Sequence, residues 1–281
     1  NIHNIAIEGH FDDCQDLVKA MFADARFRAE LRLSAVNSIN WARVMCQAAF
    51  YVRATARLGR LAFAVPTGNF GNVFAGWAAR RIGAPIEQLI IGSNKNDILT
   101  HFVETGVMQM HAVVPTLSPA MDIQVSSNFE RLLFELWGRD SARLASAMDQ
   151  FRKSGEYAVD NKSLKEMRVL FDAAALDDDG TRRVIREVYE ATGALIDPHT
   201  AVGLHAGRMK RRDRSIPLVA ISSAHPAKFP DAVEEATGKR PELPPSLADL
   251  FDRPERLAAL PNDLVQVQGF IRERLALRGA A

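Results

Sequence analysis

A strand, a glycine- and asparagine-rich turn, a helix and a second strand follow one another between Leu61 and Ile91, and that succession admits few folds. Leu61 to Val65 is a compact apolar strand candidate, and Pro66 to Gly71 is rich in turn formers. Val73 to Ile82 carries a helical pattern that Gly83 can stop, and Glu87 to Ile91 is the next strand. Strand, helix and strand joined by short connections make a parallel βαβ unit, so the chain is read as an α/β protein. The turn Pro66-Thr67-Gly68-Asn69-Phe70-Gly71-Asn72 then lies beyond the carboxyl end of a strand, where such sheets bind ligands. Gly68 and Gly71 allow the backbone to approach an anion closely, and free N–H groups at the following helix start favour a phosphate. Asn69 and Asn72 add side-chain donors or stabilise the turn. Spacing alone leaves an ordinary Gly-Asn turn open as an alternative. The loop is neither a dinucleotide fingerprint nor a Walker loop, so a compact phosphate-bearing cofactor fits better than a nucleotide.

Bulk properties narrow the function classes. The 281 residues suffice for one large or two modest domains, and 47% hydrophobic content supports a sizeable core. With 35 basic and 34 acidic residues the net charge is +1, which argues against nucleic-acid binding. No uncharged apolar run approaches the roughly 20 residues of a membrane helix, no signal peptide opens the chain, and a cytoplasmic location is expected. Cys14 and Cys46 lack metal or redox spacing, and the seven histidines contain no HExxH pair, so no metal centre is expected. The chain opens on Asn1 inside a strand-like run, Ile2 to Ile7, which suggests a fragment or a processed product.

Elsewhere the pattern is mostly helical. Asp12 with Gln15 forms a capping box for a helix bearing Leu17, Val18, Met21 and Phe22, followed after Phe27 by a polar segment. Residues 1–32 are assigned to the remnant of a smaller domain, and 33–281 to a larger one with a helical elaboration near 138–180. Ser38 to Arg57 reads as a long helix, Asp97 to Glu104 as a short one. Ser127 with Glu130 caps Phe129 to Trp137, and Ser141 to Leu176 reads as helical. Thr181 to Thr192 is amphipathic with Gly193 as its stop. Asp197 and Pro198 start a helix to Lys210, Pro217 to Ile221 is a buried strand candidate, and Leu264 to Leu277 is a terminal helix.

Six segments, read together, resemble the threonine synthases of the pyridoxal 5'-phosphate (PLP) fold-type II, tryptophan synthase β-like group. Besides the Gly68–Asn72 loop with Gly92-Ser93-Asn94 and Asn96-Asp97 behind it, they are Glu8-Gly9-His10-Phe11-Asp12-Asp13-Cys14-Gln15, Ser34-Ala35-Val36-Asn37-Ser38-Ile39-Asn40, Asp197-Pro198-His199-Thr200-Ala201-Val202-Gly203 and Ser223-Ala224-His225-Pro226-Ala227-Lys228-Phe229. Each is weak alone; in this order they cover nearly the whole chain. The resemblance implies a parallel sheet flanked by helices, a PLP phosphate cradle at Gly68, Asn69, Phe70, Gly71 and Asn72, and Ser223 facing the pyridine nitrogen. A hydroxyl there does not stabilise a charged ring as an aspartate would. It also implies the substrate O-phospho-L-homoserine, its phosphate held by Asn37, Ser38 and Arg43. Asn37 and Ser38 at a helix start attract anions, and Arg43 can reach back with a charged fork. The alternatives are a strand-end turn serine at 223 and a capped helix with a solvated arginine at 43. Asp197 is read as an N-cap, and His199 and His225 as loop or helix-start hydrogen-bonding groups.

In that family the Schiff-base lysine precedes everything present here, in a Phe-Lys-Asp context. None of Lys19, Lys95, Lys153, Lys162, Lys165, Lys210, Lys228 or Lys239 has that context. No catalytic residue is therefore assigned. The expectation is a lyase of threonine biosynthesis that needs a missing N-terminal portion, in the same or a separate chain, the given piece being inactive alone. Two other readings stand beside it: a related serine or threonine dehydratase, and a non-catalytic binding protein on the same scaffold.

Overall fold

The structure, a computed structural model, describes residues 2–9, 11–38 and 40–279, with backbone only at 11–12 and 277–279. The motif positions Asn1, His10 and Ile39 and the Asp12 side chain lie outside the described residues. In chain order the elements are β1 (Asn4–Ile7), α1 (Phe11–Ala23), α2 (Ala25–Leu31), α3 (Trp41–Leu58), β2 (Leu61–Pro66), α4 (Gly71–Arg81), β3 (Ile86–Ser93), α5 (Ile98–Thr105), β4 (Val107–Gln109) and α6 (Phe129–Leu136). They continue with α7 (Ser141–Ser154), β5 (Glu156–Ala158), α8 (Asn161–Leu170), β6 (Phe171–Ala175), α9 (Asp178–Thr192), α10 (Pro198–Lys210), β7 (Leu218–Ala220), α11 (Pro230–Thr237), β8 (Leu257–Leu260) and α12 (Leu264–Gly279).

The chain divides into two units, one formed by Asn1–Ala35 with Leu243–Ala281, the other by Val36–Glu242. In the first, β1 pairs in parallel with β8, from Asn4 opposite Leu257 to Ile7 opposite Leu260. Asp24 caps α2 by accepting from the Phe27 N–H at 2.9 Å, and Gln268 of α12 donates to its other oxygen at 3.2 Å. Arg272 grips Glu30 through two 3.1 Å bonds and lies over the buried Phe27 ring. These contacts correct two expectations. The segment after Phe27 is helical, because Phe27 has a core to enter, and the tail beyond 242 belongs with the N-terminal segment rather than with the larger domain. The first helix begins at Phe11, so Asp12 lies inside it rather than preceding it.

The second unit is built on a four-stranded parallel sheet in the order β6-β3-β2-β7. Alternation along each strand gives the sheet two unlike faces. Phe63 and Val65 of β2, Leu89 and Ile91 of β3 and Phe171 of β6 join α3, α4, α5 and α6 in one large apolar cluster. The opposite face carries Ile90 among smaller residues such as Ala64, Gly92 and Ala174, and α10 packs upon it. A Cβ on Gly203 would stand 2.8 Å from Pro66 Cδ, one on Gly92 would stand 2.9 Å from Gly203 Cα, and one on Gly207 would meet the Ala64 methyl at 2.7 Å. Only glycine admits so close an approach of helix to sheet.

Two more readings need correction. Ser141–Leu176 is not helical throughout: β5 pairs antiparallel with β4, and Phe171–Ala175 is an edge strand of the sheet. β7 is three residues long and half-buried rather than buried, since it is the other edge.

Candidate functional site

The strand order fixes where a ligand site belongs. From β2 the chain moves to β3 and then β6 in one direction, and it crosses back to place β7 on the other side of β2. The crevice at the carboxyl ends of β2 and β7 is therefore the switch point of the sheet. A cavity of about 650 Å³ opens there. Its walls come from the loop after β2 (Pro66 to Asn72), the end of β7 (Ala220 to Ser223), the start of α3 with Ser38 and Arg43, and Ala120. The loop, Ser223, Ser38 and Arg43, singled out separately in the sequence, thus share one cavity. Asn37 is not among its lining residues. Among the described residues of that lining, Arg43 is the one with an ionisable side chain. A cation, a helix N-terminus and no carboxylate together favour an anionic ligand.

The loop is held by its carbonyls. Ser126 Oγ donates to the Gly68 carbonyl at 2.8 Å, and the Asn69 carbonyl accepts from Asn128 through both its N–H (3.2 Å) and its Nδ2 (2.9 Å). The helix ladder begins with the Phe74 N–H on the Phe70 carbonyl at 3.0 Å. Among the described residues, the N–H groups of 68–73 find no acceptor, which leaves six successive donors at the start of α4. Phe70 makes this geometry possible. It sits at φ 61°, ψ 0°, the left-handed region, which is unfavourable for a residue with a Cβ. Its ring is buried edge-on to Phe129 at 5.0 Å and near Phe171 at 5.9 Å, and that packing holds the backbone turn in place. Phe70 therefore offers a ligand its main chain only.

The two glycines of the loop have different reasons. A Cβ on Gly68 would lie 2.6 Å from the Ala120 carbonyl oxygen, so protein packing demands glycine there. A Cβ on Gly71 would meet nothing closer than 3.5 Å, at Asn128 Nδ2. The protein has room for that methyl, and the space it would fill belongs to the cradle.

Residues that the sequence reading passed over hold these pieces in register. Asn128 Nδ2 donates to both the Ser38 and the Asn69 carbonyls at 2.9 Å, fastening the α3 entry to the loop. Ser127 was expected to cap α6; instead its hydroxyl donates to Asn69 Oδ1 at 3.1 Å, and Asn128 stands at the cap position without a side-chain cap bond. The Tyr51 hydroxyl donates to Asn72, with Oδ1 at 2.5 Å and the carbonyl oxygen at 3.0 Å. Burial pushes the Tyr51 pKa well up, so the hydroxyl stays a donor and fixes which end of the Asn72 amide faces it. The spacing Arg43, Gln47, Tyr51, one turn apart on α3, was the available signal.

The α3 wall departs from expectation. The helix starts at Trp41, not Ser38, because Asn40 caps it by accepting from the Ala42 N–H at 2.9 Å. Asn37 and Ser38 lie in the preceding turn, with the Asn37 carbonyl accepting from the Asn40 N–H at 3.2 Å. Arg43 is exposed, and its guanidinium donates to the Val36 carbonyl at 2.8 Å. Asp197 caps α10 as expected, and its Oδ2 accepts a hydrogen bond from His199 Nδ1 at 2.9 Å while His199 Nε2 accepts from the Ala120 N–H at 3.2 Å. His225 Nδ1 accepts from the Ala227 N–H, closing the turn after Ser223. Asn94 and Asn96, at the end of β3, share Asp122 Oδ1 at 2.7 and 3.0 Å and so tie down the segment that carries Ala120.

The family model described as "Threonine synthase, C-terminal" matches residues 200–271. The threonine synthase of Pseudomonas aeruginosa is 52% identical over 278 residues, covering 97% of this chain and 59% of that protein. Over nearly its whole length the chain is similar to threonine synthases. Threonine synthase of Corynebacterium glutamicum is 40% identical over 98% of this chain and 60% of its own length. The crystal structure of PLP-bound threonine synthase from Brucella melitensis superposes with a TM-score of 0.88 at 48% identity, covering 97% of this chain and 59% of that one. The chain thus spans about three-fifths of the threonine synthases it matches and has their fold-type II α/β architecture.

Proposed function

We propose that this chain forms the cofactor- and substrate-phosphate-binding part of a threonine synthase, which converts O-phospho-L-homoserine and water to L-threonine and phosphate in the cytoplasm. The observation that carries this reading is the single cavity that joins the 68–72 loop to Ser223, Ser38 and Arg43.

The residues fit PLP. The six unpaired N–H groups at 68–73 and the open space over Gly71 suit its phosphate, and Asn72, oriented by Tyr51, stands beside them. Ser223 at the end of β7 offers the ring nitrogen a neutral hydroxyl, which keeps that nitrogen's charge lower than a carboxylate would. When bound, the cofactor supplies an electron sink for the carbanionic charge that develops on the substrate. Arg43, with Ser38 beside it, holds the substrate's phosphate and takes up the charge that grows there as the Cγ–O bond breaks. A proton leaves Cβ as the phosphate departs from Cγ with the bond's electron pair; water then supplies a hydroxyl to Cβ, and Cγ takes up a proton to become the methyl group. Asn37 acts on this wall through the turn that presents Ser38. None of the eight lysines lines the cavity, so we assign the Schiff-base lysine to a part of the protein outside this chain.

The test is a substrate comparison on the full-length protein. Phosphohomoserine should yield threonine and inorganic phosphate in equal amounts, while free serine and threonine remain unchanged. Formation of 2-oxo acids from free serine or threonine, without phosphate release from phosphohomoserine, would assign the protein to the dehydratases instead. The 281-residue chain alone should release no phosphate.

A further inference from the structure

Gln47 carries a buried polar atom for which the protein supplies no use. Its Oε1 is shielded from solvent and, among the described residues, has no hydrogen-bond partner. Such atoms are uncommon in folded proteins, and each calls for a physical reason. Gln47 lies one turn beyond Arg43 on α3 and lines the same cavity. Its Oε1 is 3.9 Å from the position that a Cβ would occupy on Gly71, which places it at the mouth of α4. The neighbouring donor cannot satisfy it: Asn128 Nδ2 already spends both protons on the Ser38 and Asn69 carbonyls.

Among the described residues, the loop that lines the same cavity as Gln47 carries the free N–H groups of 68–73. A side-chain amide can turn through 180° without changing its shape, exchanging the carbonyl oxygen for an NH₂ group with two donors. What the place lacks is a group that brings acceptor oxygens. We propose that Gln47 is part of the anion cradle: on binding, its amide turns and Nε2 donates to an oxygen of the cofactor phosphate seated at the start of α4. This rests on the reading of 68–73 as that phosphate's site. Arg43, one turn toward the N-terminus of α3, is left to the substrate's phosphate, so α3 serves two anions with two residues of one row. Glutamine suits the inner place because it donates without adding a second positive charge.

Apo protein of full length tests this by titration with PLP and with pyridoxal, which lacks the phosphate, following the cofactor's absorbance. Gln47→Leu should weaken PLP binding about 10-fold and Gln47→Glu about 100-fold, the second by adding repulsion to the lost bond. Pyridoxal affinity should stay within about threefold in both variants, given that it brings no anion to the cradle. Gln47→Leu should leave the melting temperature of the apo protein unchanged or raise it, since it removes an unpartnered buried acceptor. Equal loss for PLP and pyridoxal, or a lowered melting temperature, would make Gln47 a packing residue and overturn the proposal. Unchanged PLP affinity with a raised KM for phosphohomoserine would also overturn it, by moving the contact to the substrate. A wild-type protein that binds PLP no more tightly than pyridoxal would remove the cradle itself.

Discussion

The loop at 66–72 and the segment 36–43 face the same cavity, yet they are held in opposite ways. The loop is anchored through its carbonyls by Ser126 and Asn128, through Phe70 by an aromatic core, and through Gly68 by contact with Ala120. Its donors are set before any ligand arrives. The described residues of segment 36–43 are exposed or half-buried, and Arg43 is occupied with the Val36 carbonyl. On the proposed reading, the resident cofactor has a site already formed, whereas the substrate's phosphate is met by an exposed arginine side chain. The preorganised wall avoids the entropy of ordering a loop at each encounter.

That contrast can be broken by substitutions on each side. Arg43→Ala in the full-length enzyme should lower kcat/KM for phosphohomoserine by about 100- to 1000-fold, the worth of a charge-assisted contact to a buried anion. PLP affinity should stay within about threefold of wild type. A matching loss of PLP affinity would mean that the walls are not separate. Gly71→Ala should weaken PLP about 30- to 100-fold by filling the cradle, while the apo protein melts within about 2 °C of wild type. Gly68→Ala should instead lower the apo melting temperature, because its methyl meets the Ala120 carbonyl. Equal melting temperatures for the two variants would contradict the different reasons given for the two glycines.

Smaller effects sharpen the same contrast. Gly203→Ala should destabilise the apo protein by about 1–3 kcal/mol through overpacking of α10 on β2, without a direct effect at the loop. Thermal melts and PLP titration read the two quantities separately. Tyr51→Phe removes the donor to Asn72 and should cost PLP binding about 5- to 10-fold, with KM for the substrate unchanged. The smallest effect lies far from the cavity. Asp160 caps α8, and the Ser163 backbone N–H, then Arg143, hold its carboxyl well below the usual range. A depressed folded-state pKa stabilises the fold above the unfolded value and loses that contribution as pH falls through the folded one. Below about pH 4 the wild type should therefore lose stability that Asp160→Asn never had, by no more than about 1 kcal/mol because the pair is exposed. Melting curves at pH 7 and pH 3 for both proteins check the sign.

The parts legible in the sequence are those marked by residues with strong local preferences. Gly68, Asn69, Gly71 and Asn72 punctuate the β2–α4 turn, and Asp197-Pro198 opens α10 where expected. The parts that were not legible depend on partners far along the chain. Phe171 to Ala175 follows a helix without a breaker and contains three alanines, so local propensity points to helix; it is a strand because β3 offers it an edge. Leu257 to Leu260 has no β-branched residue and becomes a strand by pairing with β1, some 250 residues earlier. At the site, the loop, Ser38, Arg43 and Ser223 were readable because their motif resemblance carries them. Asn128, Tyr51 and Gln47 were not, for each acts through a neighbour that only the fold supplies.

On the proposed reading, the successive free N–H groups from 68 to 73 seat the phosphate of PLP. A crystal structure of the full-length protein with PLP tests it without reference to rate or stability. Phosphate oxygens should lie about 2.9 Å from the main-chain nitrogens at the start of α4, with the pyridine ring directed toward Ser223. Density for the phosphate against Arg43, with those nitrogens still unpaired, would contradict the assignment of both walls.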